Sequence, residues 1–89
     1  MLDLKDLRCF VATYELGGFG KAAKDLNTVQ SSVSARIARL ENMVGSPLFV
    51  RLHKKIIPTS KGELLYEHAR KVLAQMDEME SALTGKRVA

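Results

Sequence analysis

The sequence predicts a mainly α-helical fold in which three short helices and a two-stranded hairpin precede one long helix. Two observations support this prediction. Apolar residues recur at intervals of three and four in three segments before residue 46 and in one long segment after residue 59, which is the period of an amphipathic helix. Between these segments lie two short runs rich in β-branched and aromatic side chains, which favour strands.

The three short helices are predicted from this spacing and from the turn residues that separate them. The apolar positions are Leu4, Leu7, Val11 and Tyr14 in the first helix, Phe19, Ala22, Ala23 and Leu26 in the second, and Val33, Ile37, Leu40 and Val44 in the third. Gly17-Gly18 ends the first helix, Asn27 can adopt a left-handed backbone after the second, and Gly45 ends the third. The short side chains of Ala22 and Ala23 allow the close helix approach that a helix-turn-helix requires.

A hairpin follows the third helix. Residues 48–52 and 55–57 are the predicted strands, and His53-Lys54 is the predicted turn between them, so the hairpin forms a wing with basic residues at its tip. Pro58 ends the second strand because proline has no N–H to donate to a sheet. Thr59 or Ser60 can cap the long helix that begins there.

The long helix has apolar residues that alternate steps of four and three, which is the heptad spacing of a coiled-coil seam. Such a narrow apolar stripe requires one partner helix, whereas a helix that lies on a core shows a wider apolar face. The predicted dimer interface consists of Leu65, Ala69, Val72, Met76, Met79 and Leu83. The predicted domains are a winged helix-turn-helix over residues 1–58, a linker and dimerisation helix over 59–84, and a tail over 85–89.

Charge is concentrated in the middle of the 89-residue chain, whose formal net charge is +4. Between Gly18 and Pro58 there are seven basic residues and two acidic ones, a distribution expected of a surface that binds a polyanion. Cys9 is the only cysteine, which excludes an internal disulfide and a thiolate metal cluster. Nothing in the sequence resembles a secretory signal or a membrane span, so we expect a cytoplasmic protein.

The third helix has the side chains expected of a DNA recognition helix. Its face opposite Val33 and Ile37 carries small or polar uncharged residues, which fit the major groove and contact base edges. The candidates for base readout are Gln30, Ser31, Ser34 and Ala35. Arg36 and Arg39 flank this face.

Residues along nearly the whole chain support one family resemblance. They are Phe10-Val11-Ala12, Gly18-Phe19, Lys21-Ala22-Ala23, Leu26, Gln30, Ser34, Ile37, Leu40-Glu41, Gly45, Pro47-Leu48-Phe49, Arg51, Pro58-Thr59 and Gly62. In order and spacing they resemble the N-terminal domain of LysR-type transcriptional regulators. The resemblance implies sequence-specific binding of double-stranded DNA by a homodimer, on an interrupted inverted repeat. It leaves open a tetramer in a full-length form.

Several functional positions of the family have matching residues in this chain. Gln30 and Ser34 match recognition-helix positions, Arg51 matches the basic residue that opens the wing, and Thr59 and Gly62 match the start of a linker helix that approaches phosphate. The predicted contacts to the DNA backbone, from the wing and its neighbours, are Thr28, Arg36, Arg39, Arg51, His53, Lys54, Lys55 and Thr59.

The chain also departs from the family at identifiable positions. Val29, Ser31 and Ala35 stand where the family often has Ser, Pro and Arg. We expect Thr28 to replace the missing cap of the third helix. Ala35 would contact a thymine methyl group, because alanine cannot form the bidentate contact that arginine makes with guanine. The wing lacks the glycine that is usual at its turn.

No cofactor or metal is expected. His68 has no second histidine or cysteine at ligand spacing, and no catalytic constellation is recognisable, so an enzyme is not expected either. The family's ligand-sensing domain would lie outside these 89 residues, and an effector would act only through it. We therefore expect this chain to be an excised piece of a longer protein.

Two other functions remain open at this point. The chain could be a non-specific nucleoid-type or RNA-binding protein, although readers of single-stranded RNA usually expose stacking aromatic residues. It could also be a coiled-coil interaction module whose basic centre is incidental. Competition by random duplex separates a specific DNA binder from a non-specific one, and an interaction module would ignore DNA at physiological salt.

Overall fold

The structure is a computed structural model, and it describes residues 2–85. This part of the chain forms four helices and one two-stranded antiparallel sheet. The elements are α1 (Leu4–Leu16), α2 (Phe19–Asp25), α3 (Gln30–Val44), β1 (Phe49–Leu52), β2 (Lys55–Pro58) and α4 (Ser60–Thr84). The predicted mainly helical class, with a wing between the third and fourth helices, is confirmed. The predicted tail lies outside the described residues from position 86 onward.

The ends of the first three helices follow from local chemistry. Asp3 begins α1, and its side chain accepts a hydrogen bond of 2.8 Å from the Lys5 N–H. Gly17 and Gly45 end α1 and α3 in the left-handed conformation, with φ of 76° and 72°. Asn27 also has a positive φ, of 55°, as predicted for the turn of the helix-turn-helix.

The predicted cap of α3 is wrong. Val29 is the N-cap residue, and α3 has no side-chain hydrogen bond to its first turn. Thr28 lies one residue before the N-cap position. Its N–H donates to the Ala23 carbonyl across the turn, at 2.9 Å. The amide end of α3 is therefore free of a side-chain cap.

The core lies where the three short helices meet the base of the wing. Phe10, Val33, Leu40 and Leu48 are fully buried there, and the ring of Phe49 lies 5.3 Å from that of Phe10. Ala22 and Ala23 are buried in the same cluster. This packing fixes the exposed face of α3 relative to the wing.

The start of α4 is locked to the segment that enters the wing. Thr59 caps α4 by accepting from the Gly62 N–H at 3.0 Å, and its hydroxyl donates to the Pro47 carbonyl at 2.7 Å. Gly62 is buried against the Leu48 carbonyl, and a Cβ atom at position 62 would overlap that oxygen. The Glu41 carboxylate accepts from the Leu48 N–H at 2.8 Å, which joins α3 to the same segment.

Only the first half of α4 packs on the rest of the domain. Tyr66 stacks on Tyr14 of α1 with ring centroids 3.8 Å apart, and its hydroxyl donates to Glu15 at 2.6 Å. That hydrogen bond raises the pKa of Tyr66. The second half of α4 extends away from the core, which gives the described chain its elongated dimensions of 45 × 25 × 20 Å.

Candidate nucleic-acid interface

The four predicted base-reading residues lie on one exposed face of α3. Gln30, Ser31, Ser34 and Ala35 are all exposed, whereas Val33, Ile37 and Leu40 on the other side of the helix are buried. The structure therefore brings the four uncharged side chains together on one exposed face of α3. Their contact with bases stays a prediction.

The wing presents its cations on an exposed surface. Arg51, His53, Lys54 and Lys55 are all exposed, and the Arg51 guanidinium lies 5.7 Å from the centre of the Phe19 ring. Leu52 pairs with Lys55 across the strands, so His53 and Lys54 form a two-residue turn. Both have positive φ, of 50° and 67°, which is the geometry of a type I′ turn without the glycine that usually accompanies it.

Arg36 and Arg39 are both paired with one buried acidic side chain. The Arg36 Nη1 lies 2.9 Å from the Asp6 Oδ1, and the Arg39 Nη2 lies 3.2 Å from the Asp6 Oδ2. Asp6 belongs to α1, and its side chain is fully buried. The hydrogen bond to Asp6 raises the pKa of the Arg36 guanidinium. We call Asp6, Arg36 and Arg39 the Asp6 ion-pair cluster. Contacts of the two arginines with DNA phosphates stay a prediction.

Asp6 was not predicted as a functional residue, although the sequence contains a signal for it. Phe10 is the central buried residue of α1, and Asp6 lies four residues before it, on the same helix face. Thr13 lies three residues after Phe10 on that face and is also buried, with its hydroxyl donating to the Cys9 carbonyl at 2.8 Å. An acidic residue in phase with a buried aromatic indicates a buried charge that requires a cation.

Thr59 makes hydrogen bonds within the chain at the start of α4. Its hydroxyl donates to Pro47, and its N–H donates to the Leu48 carbonyl at 3.0 Å. Both donors are used within the chain, so a phosphate would have to displace a carbonyl oxygen. In the structure Thr59 caps α4, and its contact with a DNA phosphate stays a prediction.

The predicted dimer seam divides into two parts. Ala69 is only 1% exposed because it packs inside its own domain, and Leu65 is half-buried against the same core. Ala69 has no free surface for a partner, so its assignment to a dimer interface is wrong. Val72 and Met79 are exposed, and Leu83 is 80% exposed. Met76 is half-buried and lines a shallow groove with Val72 and Met79.

Cys9 is a free cysteine in α1 and belongs to the buried core. Burial raises the pKa of its thiol, since the thiolate would lose its hydration. A buried and protonated thiol is a weak nucleophile. Cys9 is thus a packing residue of the core.

Comparison with known families assigns this chain to one of them. A family model described as "Bacterial regulatory helix-turn-helix protein, lysR family" matches residues 4–63, which include α1 to α3, the wing and the start of α4. The chain belongs to the LysR family. The resemblance inferred from the sequence is confirmed.

The relatives of this LysR-family chain are regulators. It is 38% identical over 79 residues to the HTH-type transcriptional regulator CzcR of Bacillus thuringiensis, and the match covers 89% of this chain and 26% of that protein. It is 37% identical over 86 residues to the HTH-type transcriptional activator AmpR of Rhodobacter capsulatus, with 97% of this chain and 30% of that protein covered. The chain thus spans about a quarter to a third of the length of these relatives.

Solved LysR-family structures have the same fold. The BenM_DBD chain in a complex with catB site 1 DNA superposes with a TM-score of 0.89 at 35% identity, and 93% of each chain is covered. The CbnR_DBD chain in a DNA complex superposes with a TM-score of 0.86 at 27% identity, covering 94% of this chain and 97% of that one. The oxidized form of Corynebacterium glutamicum OxyR gives 0.87 at 35% identity, covering 93% and 26%.

Within residues 2–85, none of the helices is long and apolar enough to cross a membrane. The same stretch contains no group of three or more histidine, cysteine or acidic side chains that could hold a metal ion.

Proposed function

We propose that the chain is the head of a LysR-type transcriptional regulator, and that it binds double-stranded DNA sequence-specifically as a homodimer. The observation that supports this most is the exposed, uncharged face of α3 beside a basic wing. The BenM_DBD and CbnR_DBD chains, which superpose on this one, were both solved in complexes with DNA.

The recognition face supplies the sequence preference in this proposal. Gln30, Ser31 and Ser34 donate to or accept from base edges in the major groove, and Ala35 packs on a thymine methyl group. The uncapped amide end of α3 faces a phosphate, because the first turn of a helix carries free N–H groups and the positive end of the helix dipole. Thr28 lies beside that end and contacts the same phosphate.

The wing supplies affinity. Arg51, His53, Lys54 and Lys55 contact the sugar-phosphate backbone, where they fix the position of the domain without distinguishing bases. Arg36 and Arg39 are left out of this set because Asp6 already pairs with both of them.

The second half of α4 supplies the dimer contact. Val72, Met76, Met79 and Leu83 recur at heptad spacing beyond the point where α4 leaves its own core. Two copies of this stripe bury each other, which removes from water apolar groups that a monomer leaves exposed. We propose that the dimer acts in the bacterial cytoplasm and catalyses no reaction.

Paired substitutions test the division of roles. Lys54→Gln should weaken binding to every duplex and lower the slope of log affinity against log salt by about 0.9, the value for one lost phosphate contact. Gln30→Ala should instead change the preferred base at one position and cost about 1–3 kcal/mol on the preferred site. The assignment is reversed if Lys54→Gln changes base preference while Gln30→Ala lowers affinity uniformly.

A further inference from the structure

The Asp6 ion-pair cluster joins α1 to the recognition helix over a separation of 30 residues. The two arginines lie one helical turn apart in α3, and both approach the same carboxylate. Arg39 also lies 4.0 Å from the Asp3 carboxylate. Oδ2 of Asp6 has no hydrogen-bond donor among the described residues, although Arg39 is within ion-pair distance of it. Asp6 thus retains capacity to attract a cation.

Burial makes this pairing obligatory. A carboxylate removed from water is costly unless a cation compensates for it, and the Asp6 side chain has no exposed surface. The guanidinium groups of α3 are its compensating partners in the described structure. Two contacts, one turn apart on a single helix, restrict the rotation of α3 about its own axis. That rotation decides which side chains face the groove, because successive residues on a helix differ by about 100°.

The same pairing determines which cations DNA can attract. Arg39 is 61% exposed and borders the recognition face, so a phosphate could compete for it. The carboxylates of Asp6 and Asp3 oppose that competition from the protein side. With Arg36 and Arg39 held against α1, phosphate contacts fall to exposed cations outside α3, such as Arg51, Lys54 and Lys55 of the wing.

We propose that Asp6 is a positioning residue for DNA affinity, which holds Arg36 and Arg39 against α1 and so withholds two cations of the recognition helix from DNA phosphates. This inference rests on the proposed DNA-binding function. Its physical basis is that phosphate contacts add affinity for all sequences equally. Withholding them lowers the affinity for specific and random duplexes by the same factor and makes both affinities less dependent on salt.

The first test is Asp6→Asn, compared with Asp25→Asn. Both substitutions remove one negative charge, but Asp25 is exposed on α2. Affinity for a selected specific duplex and for a random-sequence duplex is measured over a range of salt concentrations. Each arginine freed by Asp6→Asn should steepen the salt slope by about 0.9, which corresponds to about fivefold tighter binding of random duplex near 0.15 M salt. Affinity for the specific duplex should rise by the same factor, so the ratio of the two affinities should stay near the wild-type value, and Asp25→Asn should change the salt slope much less.

A second arm shows whether the arginines cause that change. Adding Arg36→Gln and Arg39→Gln to Asp6→Asn should return the salt slope to the wild-type value. If Asp6 only supports the fold, Asp6→Asn weakens specific and random binding together and the slope does not steepen. The inference is overturned by that result, and equally by identical slopes for Asp6→Asn and Asp25→Asn.

A third arm does not depend on the folding of an Asp6 variant. Arg39→Gln alone, in the wild-type background, should leave the salt slope unchanged, because Arg39 is already paired with Asp6. Lys54→Gln on the wing is the matched control and should lower the slope by about 0.9. Equal reductions by Arg39→Gln and Lys54→Gln contradict the inference. Failure of the proposed function looks different, since the wild-type chain would then bind no duplex in preference to random DNA.

Discussion

The two turn residues at the tip of the wing occupy a backbone region that favours glycine. His53 and Lys54 both have positive φ, and a side chain in this region costs about 1–2 kcal/mol because its Cβ crowds the backbone. The strand register leaves no longer loop to relieve this cost, since Leu52 pairs directly with Lys55. The tip therefore stores strain while presenting a cation.

Because of this strain, one substitution at position 54 should change the free energy of unfolding and the affinity for DNA in opposite directions. Lys54→Gly should raise the free energy of unfolding by about 0.5–1 kcal/mol, because glycine adopts positive φ without a Cβ clash. The same substitution should weaken DNA binding, since the proposed phosphate contact is lost. Urea denaturation and gel shifts measure the two effects. Lys55→Gly is the control, because Lys55 lies in a strand and glycine there should destabilise. A less stable Lys54→Gly would show that the turn is not strained.

At the residue scale, the sequence predicts which face of a helix a side chain occupies more reliably than it predicts which residue that side chain contacts. Gln30, Ser31, Ser34 and Ala35 lie on the exposed face where helical spacing places them. The partners of Arg36, Arg39 and Thr59 were not predictable in the same way. Each of them contacts a residue that is distant in the chain or on another element, and helical periodicity contains no information about such contacts.

At the element scale, the joint between the wing and α4 depends on the absence of one side chain. Gly62 packs directly against the Leu48 carbonyl, and that oxygen also accepts the hydrogen bond from the Thr59 N–H. A methyl group at position 62 would force α4 away from the segment that enters the wing. Gly62 lies within α4 and has an ordinary helical backbone. Glycine is therefore required at this position for the close approach to the Leu48 carbonyl, and not for its backbone conformation.

We expect Gly62→Ala to lower the free energy of unfolding by about 1–3 kcal/mol, the usual cost of overpacking. Gly20→Ala is the matched control. Gly20 also lies in a helix, but a Cβ there meets only the end of the Gln30 side chain, at 3.4 Å. Helix propensity should make that variant as stable as the wild type or more so. Thermal melts of both variants decide the matter, and equal melting temperatures would contradict the close approach at Gly62.

The apolar stripe of α4 was predicted correctly, but its two halves differ in their surroundings. The first half packs on its own domain, and the second half is left exposed. An apolar stripe shows that something covers it, but not whether the covering helix belongs to the same chain. Leu65 and Ala69 are covered by their own domain, and the stripe from Val72 onward is not. The sequence predicts the helix and its stripe, whereas only tertiary packing divides the stripe.

Dimerisation should depend on the uncovered part of this stripe. Val72→Glu should make the chain monomeric, because a charge would be buried between two helices. Ala74→Glu introduces the same charge at a position that is also exposed but lies away from the stripe, and it should leave the dimer intact. Sedimentation analysis distinguishes the two results. A monomeric wild type, or a Val72→Glu dimer of wild-type affinity, would refute the proposed interface.

At the scale of the whole molecule, the length of α4 predicts the shape of the DNA site. Its 25 residues span about 37 Å, so two helices that pair antiparallel through their second halves place the heads at opposite ends. A two-fold dimer presents two related recognition helices, and its target is therefore an interrupted inverted repeat. The half-sites should lie at least one duplex turn apart, about 34 Å.

The spacing can be tested with an insertion. Adding about five base pairs between the half-sites turns one of them to the opposite face of the duplex, because one turn is about 10.5 base pairs. Affinity should then fall to that of a single half-site, and about ten inserted base pairs should restore part of it. Undiminished binding of the half-turn insertion at constant salt would show that the two heads are not held at a fixed separation.

Selection of bound duplexes from a random pool tests the central claim most directly. Wild-type chain should enrich an inverted repeat with two equivalent half-sites. Chains with Gln30→Ala or Ser34→Ala should enrich repeats that differ at defined positions within each half-site, because these residues contact bases in the proposed complex. Lys54→Gln should enrich the same repeat as the wild type, only more weakly. A wild-type pool without an enriched sequence, or with one that both α3 variants leave unchanged, would contradict sequence-specific recognition by α3.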